Sequence, residues 1–298
     1  MRRRFAVALS AALGLGLFSY WVSGSNSGVQ FVSAVELTHE STLFGGLSGL
    51  EVTQDSNALV AVGDRGTLFT AEVERDAEGL IEGVSWSDAV RLRTSQGTPL
   101  PPRARDAEGL VLADDGTIFV SFEGRHRVAH YALTGDLVGA LPGSDAFEKL
   151  QGNSGLEAIA TSPEGRLIAI PERSGAMSRP FPIYELDGDS WQQNGAIPRR
   201  GRFLPVGADF GPDGALYLLE RDYFFSGFRS RVRRFDWRDG QLSDEKELLV
   251  TRFWQHDNLE GISVWQTAKG QIRLTLISDD NFNALQTSEL VEYALTSP

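Results

Sequence analysis

The sequence predicts an all-β chain folded as a β-propeller of five blades, or six if two weak repeat units have merged. Three observations carry this expectation. A strand–turn–strand unit recurs about every 50 residues, within the range of propeller blades. Glycines number 32 against two methionines, and Asp-Gly or Glu-Gly pairs separate apolar runs, a strong hairpin signal. The last unit is one strand short, while a strand-like segment, Val29 to Thr38, stands unassigned before the first unit. Bringing that segment round to the last unit closes the ring and removes the free edge.

The chain of 298 residues opens with Arg2, Arg3 and Arg4, followed by an apolar run from Phe5 to Val22 and the small residues Ser23 and Gly24. Residues 1–24 read as a signal peptide, with an uncleaved N-terminal anchor as the alternative because a run of about 18 residues is near the lower limit for a membrane span. Residues 25–28 read as a short linker and 29–298 as a single domain. The expectation is an exported, periplasmic or secreted monomer that meets a membrane only if the leading segment is retained.

The first unit has Leu47-Ser48-Gly49-Leu50, a strand from Ala58 to Gly63, and Asp64-Arg65-Gly66 at its end. The second has Asp106-Ala107-Glu108-Gly109-Leu110, an Asp115-Gly116 turn, a strand to Phe122 and Glu123-Gly124-Arg125. The third has Gly155-Leu156-Glu157-Ala158-Ile159, a Glu164-Gly165 turn, a strand to Ile170 and Glu172-Arg173. The fourth has Gly207-Ala208-Asp209-Phe210, an Asp213-Gly214 turn, a strand to Leu219 and Glu220-Arg221-Asp222. The fifth has Asn258-Leu259-Glu260-Gly261-Ile262, a Lys269-Gly270 turn, a strand to Ile277 and Asp279-Asp280-Asn281. Further strand-like segments follow in each unit. A pair of β-sandwiches is the competing architecture, and the fixed period argues against it.

In a propeller blade the first strand lines the channel and the second pairs antiparallel beside it, so one strand's start and the other's end share a mouth. Strand starts supply Ser48, Glu108, Glu157, Asp209 and Glu260. Strand ends supply Asp64, Glu123, Glu172, Glu220, Asp279 and Asp280, with Arg65, Arg125, Arg173 and Arg221 beside them. Asp106, Asp257, Asn258 and Asn281 add oxygen atoms. Carboxylates packed this closely raise one another's pKa unless cations intervene. Two arrangements relieve them: arginine pairs that form a girdle between blades, or a hard cation such as Ca²⁺, which takes about six to eight oxygens. The candidate ligands are Asp64, Glu108, Glu123, Glu157, Glu172, Glu220, Glu260 and Asp279.

Net charge is −12, which disfavours nucleic acid and makes any anionic substrate depend on cations. The absence of cysteine excludes disulfides, thiolate metal sites and cysteine nucleophiles. There is no Gly-x-Ser-x-Gly elbow, and Ser48 has no evident base. Of His39, His126, His130 and His256, only His256 falls near the expected mouth. Tyr223, Phe224, Phe225 and Phe228 with Gly227 read either as a loop over the mouth or as the anchor of a long loop, and Trp86 and Trp254 as inter-blade packing.

Several motifs, in this order and spacing, resemble the phytase-like esterase family over roughly Phe44 to Leu295. They are Gly45-Gly46-Leu47-Ser48-Gly49-Leu50, Asp64-Arg65-Gly66, Asp106-Ala107-Glu108-Gly109-Leu110, Leu156-Glu157-Ala158-Ile159, Glu220-Arg221-Asp222-Tyr223, Asn258-Leu259-Glu260-Gly261-Ile262 and Asp279-Asp280-Asn281-Phe282. The resemblance implies an exported bacterial esterase or phosphoesterase, and the propeller phytases behind the family's name are calcium-dependent. The residues themselves suggest metal-assisted hydrolysis of a small-molecule ester or phosphoester. Glu108, Glu157 or Glu260 would act as general base, and Arg65, Arg173 and Arg221 would offset developing negative charge. A non-catalytic cation- or ligand-binding propeller and a calcium-dependent lactonase remain open beside it.

Overall fold

The computed structural model describes residues 28–296 apart from 151, 153, 226 and 239. The expected export segment, 1–24, lies outside the described residues, as does all of the expected linker but Gly28. Among the described residues no helix is long and apolar enough to cross a membrane.

The chain forms five antiparallel sheets, so the blade count is five. Strand β1 (Val29–Glu36) precedes the first blade. Blade I holds β2 (Leu47–Val52), β3 (Ala58–Gly63), β4 (Thr67–Arg75), β5 (Ile81–Trp86) and the short β6 (Val90–Arg91). Blade II holds β7 (Ala107–Leu112), β8 (Ile118–Phe122), β9 (Arg127–Tyr131) and β10 (Leu137–Ala140). Blade III holds β11 (Leu156–Thr161), β12 (Leu167–Pro171), β13 (Phe181–Asp187) and β14 (Ser190–Ile197). Blade IV holds β15 (Leu204–Phe210), β16 (Leu216–Phe224), β17 (Gly227–Arg238) and β18 (Gln241–Val250). Blade V holds β19 (Asn258–Gln266), β20 (Ile272–Asp279) and β21 (Glu289–Leu295), and β1 pairs antiparallel with β21 as its outer strand. The spare N-terminal segment therefore closes the ring. The first strand of each blade packs against its counterparts on both sides, in the order β2, β7, β11, β15, β19 and back to β2.

Both faces of each sheet are apolar because each blade is sandwiched between two others. Leu68 and Val62 of blade I meet Ile118 and Val120 of blade II, and Ile168 and Ile183 of blade III meet Leu216 and Phe235 of blade IV. Leu219 and Val232 of blade IV meet Leu274 and Leu276 of blade V, and Leu50 and Phe69 of blade I meet Ile277 and Leu290.

The inner strands share one irregularity. In every blade the pairing of first and second strands slips by one residue near the mouth, leaving an extra residue on the inner strand. Such a bulge kinks the strand and re-aims a side chain. The extra residue is Ser48, Val206 and Glu260 in blades I, IV and V, Glu157 in blade III, and lies at Glu108-Gly109 in blade II. A small residue follows at the closest approach of neighbouring blades. A Cβ on Gly49 would lie 2.7 Å from the carbonyl oxygen of Glu108, one on Gly109 2.9 Å from that of Glu157, one on Gly207 2.5 Å from that of Glu260, and one on Gly261 2.9 Å from that of Ser48. These contacts are with backbone, so the neighbour has little room to give.

Gly207→Ala is expected to lower unfolding free energy by about 1–3 kcal/mol, whereas Gly139→Ala on β10, where nothing lies within 4 Å, leaves it unchanged or slightly raised. Urea denaturation of the two variants reads the difference; equal effects would contradict the close-approach account.

Candidate active site at the channel mouth

The bulges turn Glu108, Glu157 and Glu260 toward the axis, where each carboxylate feels the others. Strand ends bring Asp64, Glu123, Glu172 and Asp279 to the same mouth, and Asp106 joins them from the residue before β7. Of the predicted ligands, only Glu220 falls elsewhere. Along β16 successive side chains point to opposite faces. Arg221 takes the mouth side and Glu220 the inter-blade side, fully buried, with Oε2 accepting from Arg231 and Arg233 at 2.8 Å and Oε1 from Arg233 at 2.7 Å. It belongs to a girdle of arginine pairs, one of the two arrangements expected for these acids.

Asp209 also departs from the expectation. The bulge of blade IV is at Val206, so Asp209 sits three residues farther down the channel, accepting from the backbone N–H of Phe210 at 2.7 Å and of Val264 at 2.6 Å. It is close enough to Glu51 on β2 to help burial raise that carboxyl's pKa. With Val206 and Ser48 at two bulges, the bulge carboxylates come from blades II, III and V alone.

Blade IV instead contributes a guanidinium. Arg221 donates to Asn258 Oδ1 at 2.8 Å, to Glu260 Oε1, and to Glu172 Oε1 at 3.3 Å. Asn258 Nδ2 also donates to Glu260 Oε1 at 2.8 Å. Burial by itself would lower the pKa of Arg221, but Glu260, Glu172 and Glu157 override it and hold the group charged. Arg173 is half-exposed and donates to Glu172 Oε2 at 3.2 Å. Arg65 takes no part in the acid cluster by hydrogen bond; it is exposed at the rim, stacked over the Phe282 ring.

The other carboxyls are driven toward protonation. Burial, then Asp106, raises Asp64 to about 7 against the pull of Arg65, and burial with Glu260 raises Asp279 to about 8. Burial and the neighbouring carboxylates Glu157 and Glu260 raise Glu108 well above the usual range. Burial, Glu172 and Glu123 do the same to Glu157. Burial also raises Glu123, and the hydrogen bond it shares with Glu157 pushes Glu157 further up and Glu123 back down.

Asp106, Glu108 and Glu123 each offer an oxygen lying within 4.8 Å of the other two. Ligand oxygens about 2.3–2.6 Å from a central ion are separated by comparable distances. The three fit a hard cation, which would offset the burial that raises all three and the mutual repulsion that adds to it at Glu108 and Glu123.

Beside this cluster, on blades III to V, opens a cleft of about 1180 Å³. Glu172, Arg173, Arg221 and Asn258 form its inner wall, and Arg199 and Arg202, from the loop between β14 and β15, stand farther out. Neither outer arginine was singled out by the repeat, because that loop carries no recurring motif.

The phytase-like family, described as having the esterase-like activity of phytase, matches residues 42–282. The chain belongs to the phytase-like esterase family. Comparison with curated proteins finds no match. Among solved structures the chain is similar to a protein of unknown function from Dyadobacter fermentans, at 13% identity over 84% of this chain and 76% of that one, with a TM-score of 0.44. It is also similar to virginiamycin B lyase from Staphylococcus aureus (10%, 89% and 99%, 0.44). A third is a gluconolactonase from Xanthomonas campestris (15%, 83% and 72%, 0.43).

His256 lies outside this phytase-like mouth, buried in blade V with Nε2 at 2.8 Å from the Tyr293 hydroxyl and Nδ1 at 3.5 Å from Glu289. Trp254, expected in a blade interface, is 66% exposed. The aromatic segment expected as a loop extends the β16–β17 hairpin, with Tyr223 opposite Phe228.

Asp64 and Asp279 ionise near 3.8 when unfolded and near 7 and 8 in the fold, so the folded state binds extra protons between these values. The stability this lends is complete below about pH 4 and is lost as pH rises through 7 to 8. In the presence of a chelator, the melting temperature is expected to fall by roughly 10 °C from pH 5.5 to pH 8.5. Asp279→Asn should flatten the slope. A melting temperature that rises over this interval would refute the assignment.

Proposed function

We propose that this phytase-like propeller hydrolyses an anionic ester or phosphoester of small size, in the exported compartment that its basic N-terminus and apolar leading run suggest. The observation that carries the reading is the juxtaposition at one mouth of Glu157, which burial and neighbouring carboxylates push toward protonation, with Glu260, held by Arg221 and Asn258, beside an arginine-walled cleft. Reacting groups of opposite proton-transfer roles are kept apart by environment, as acid–base hydrolysis needs.

The substrate's oxyanion lies in the cleft, where Arg173 faces solvent and is tied to one carboxylate, leaving donors for a ligand. Glu260, oriented by Arg221 and Asn258, takes a proton from the attacking water. Glu157, which keeps its proton, gives it to the departing alkoxide. The hydroxyl bonds to carbon or phosphorus, the ester C–O or P–O bond breaks, and the proton passes from Glu260 back to Glu157 within the cluster. Acid and alcohol leave. Asp106, Glu108 and Glu123 would hold a hard cation such as Ca²⁺, which when bound polarises the ester oxygen.

The purified protein is expected to turn over an aryl ester, an aryl phosphate or a lactone and to lose that activity to a chelator. Glu157→Gln and Glu260→Gln should each lower kcat/KM by about 10²–10⁴, with circular dichroism unchanged. Absence of turnover on all three substrate types, with calcium supplied, would overturn the reading. Calcium-induced thermal stabilisation in that case would favour a binding module.

A further inference from the structure

The cleft has two kinds of wall, and each is unusual in this chain. One is cationic in a protein of net charge −12. Among the described residues no carboxylate pairs with Arg199. Its guanidinium rests instead on the Gly201 carbonyl at 3.4 Å, Ser174 Oγ at 3.5 Å and Met177 Sδ at 3.0 Å. Burial and the like charge of Arg173 both lower its pKa. Two guanidiniums are thus held near each other, with a carboxylate hydrogen-bonded to Arg173 and only the more distant charges of Glu220 and Glu172 offsetting Arg199. Arg202, on the same side, reaches Asp222 at 3.4 Å while 60% exposed. Guanidinium forks gathered this way suit a planar or tetrahedral oxyanion.

The other wall is apolar and open. Leu285 is 92% exposed, Met177 61% and Tyr223 54%, and all three line the cleft. Isolated exposed apolar side chains are ordinary, but three that line one concave cleft offer apolar surface to a ligand. Outside the cleft lining, Phe225 in the turn of the β16–β17 hairpin and Trp254 after β18 are also exposed, each with a strained backbone. Phe225 has φ +45° and Trp254 φ +61°, the left-handed region that side-chain-bearing residues avoid. Gly227 is required beneath Trp254, since a Cβ there would meet the indole at 2.3 Å.

We propose that the cleft selects an amphiphilic substrate: an ester whose oxyanionic group binds Arg173, Arg199 and Arg202 while an alkyl or aryl portion lies along Met177, Tyr223 and Leu285. The chemistry performed on it rests on the hydrolase reading above; the ligand class does not. The structure disfavours a compact, multiply charged polyol ester, which would leave the apolar wall in water.

The first arm measures binding without turnover. Hexyl phosphate, hexanoate, hexanol, inorganic phosphate and acetate are titrated against the full chain, read by tryptophan fluorescence and melting temperature. Hexyl phosphate or hexanoate is expected to bind at least tenfold tighter than hexanol and than its own headless or tailless counterpart, and the better of the two identifies the oxyanion. Arg199→Ala and Tyr223→Ala should each weaken it about tenfold, with Arg199→Lys partly restoring affinity. The second arm compares 4-nitrophenyl ethyl, butyl and hexyl phosphate, monoanionic diesters that carry both the oxyanion and the chain, for which kcat/KM should rise about fourfold per added methylene where the chain reaches the wall. Hexanol binding as tightly as hexyl phosphate and hexanoate, or phosphate and acetate binding as tightly as their hexyl forms, would overturn the proposal. Turnover with no chain-length preference would also overturn it, leaving the hydrolase reading intact. Amphiphile binding that depends on Arg199 and Tyr223 without any turnover would uphold the proposal and sink the hydrolase reading.

Discussion

The close approach of five inner strands at one level of the channel governs everything at the mouth. Each strand gains a residue there, and a glycine follows the bulge in four blades, with Ala158 in the fifth. In those four blades backbone packs on backbone with no room for a Cβ. Three carboxylates on those bulges, together with the acids at the second-strand ends, are thereby forced nearer than free solution would allow. The free energy of burying five apolar inter-blade cores sustains this crowding. Asp64, Glu108, Glu157 and Asp279 respond by holding protons at pH values where exposed carboxyls have none.

The fivefold pattern is broken at the mouth. Val206 withholds a carboxylate from blade IV, and Arg221, one strand over, sends a cation toward the carboxylates of blades III and V. One side of the mouth becomes a set of oxygens suited to a cation, and the other a basic cleft. A ring of identical acids would offer neither an oriented base nor a distinct place for substrate. The whole molecule repels anions at long range, but screening confines that field to roughly 8 Å at physiological ionic strength, inside which the cleft arginines dominate.

Much of this is written legibly in the sequence. The period, the turn dipeptides and the spare first strand lead to five blades and to β1 closing blade V, because those features follow from backbone requirements that few residues satisfy. Glu108, Glu157 and Glu260 are readable because each precedes a small residue demanded by blade packing. The same signal was present at Val206-Gly207, yet the acid at Asp209 drew the register three residues off. Glu220 and Arg221 illustrate a different limit: adjacent residues on a strand have opposite fates, and only the phase of the pleat, set by pairing with β15 and β17, decides which reaches the mouth. Arg199, Arg202 and the strained Phe225 and Trp254 lie outside the repeat, where conformation depends on tertiary contacts alone.

The seam between β1 and β21 has a consequence for orientation. Val29 pairs with Leu295 and Glu36 with Glu289, so the chain rises from the base of the propeller toward the mouth, and Thr296 donates to the Gly28 carbonyl at 3.0 Å at that base. Both ends of the described chain thus leave from the pole opposite the acidic opening. A group attached directly at Gly28 or Thr296 would therefore sit at the pole farthest from that aperture.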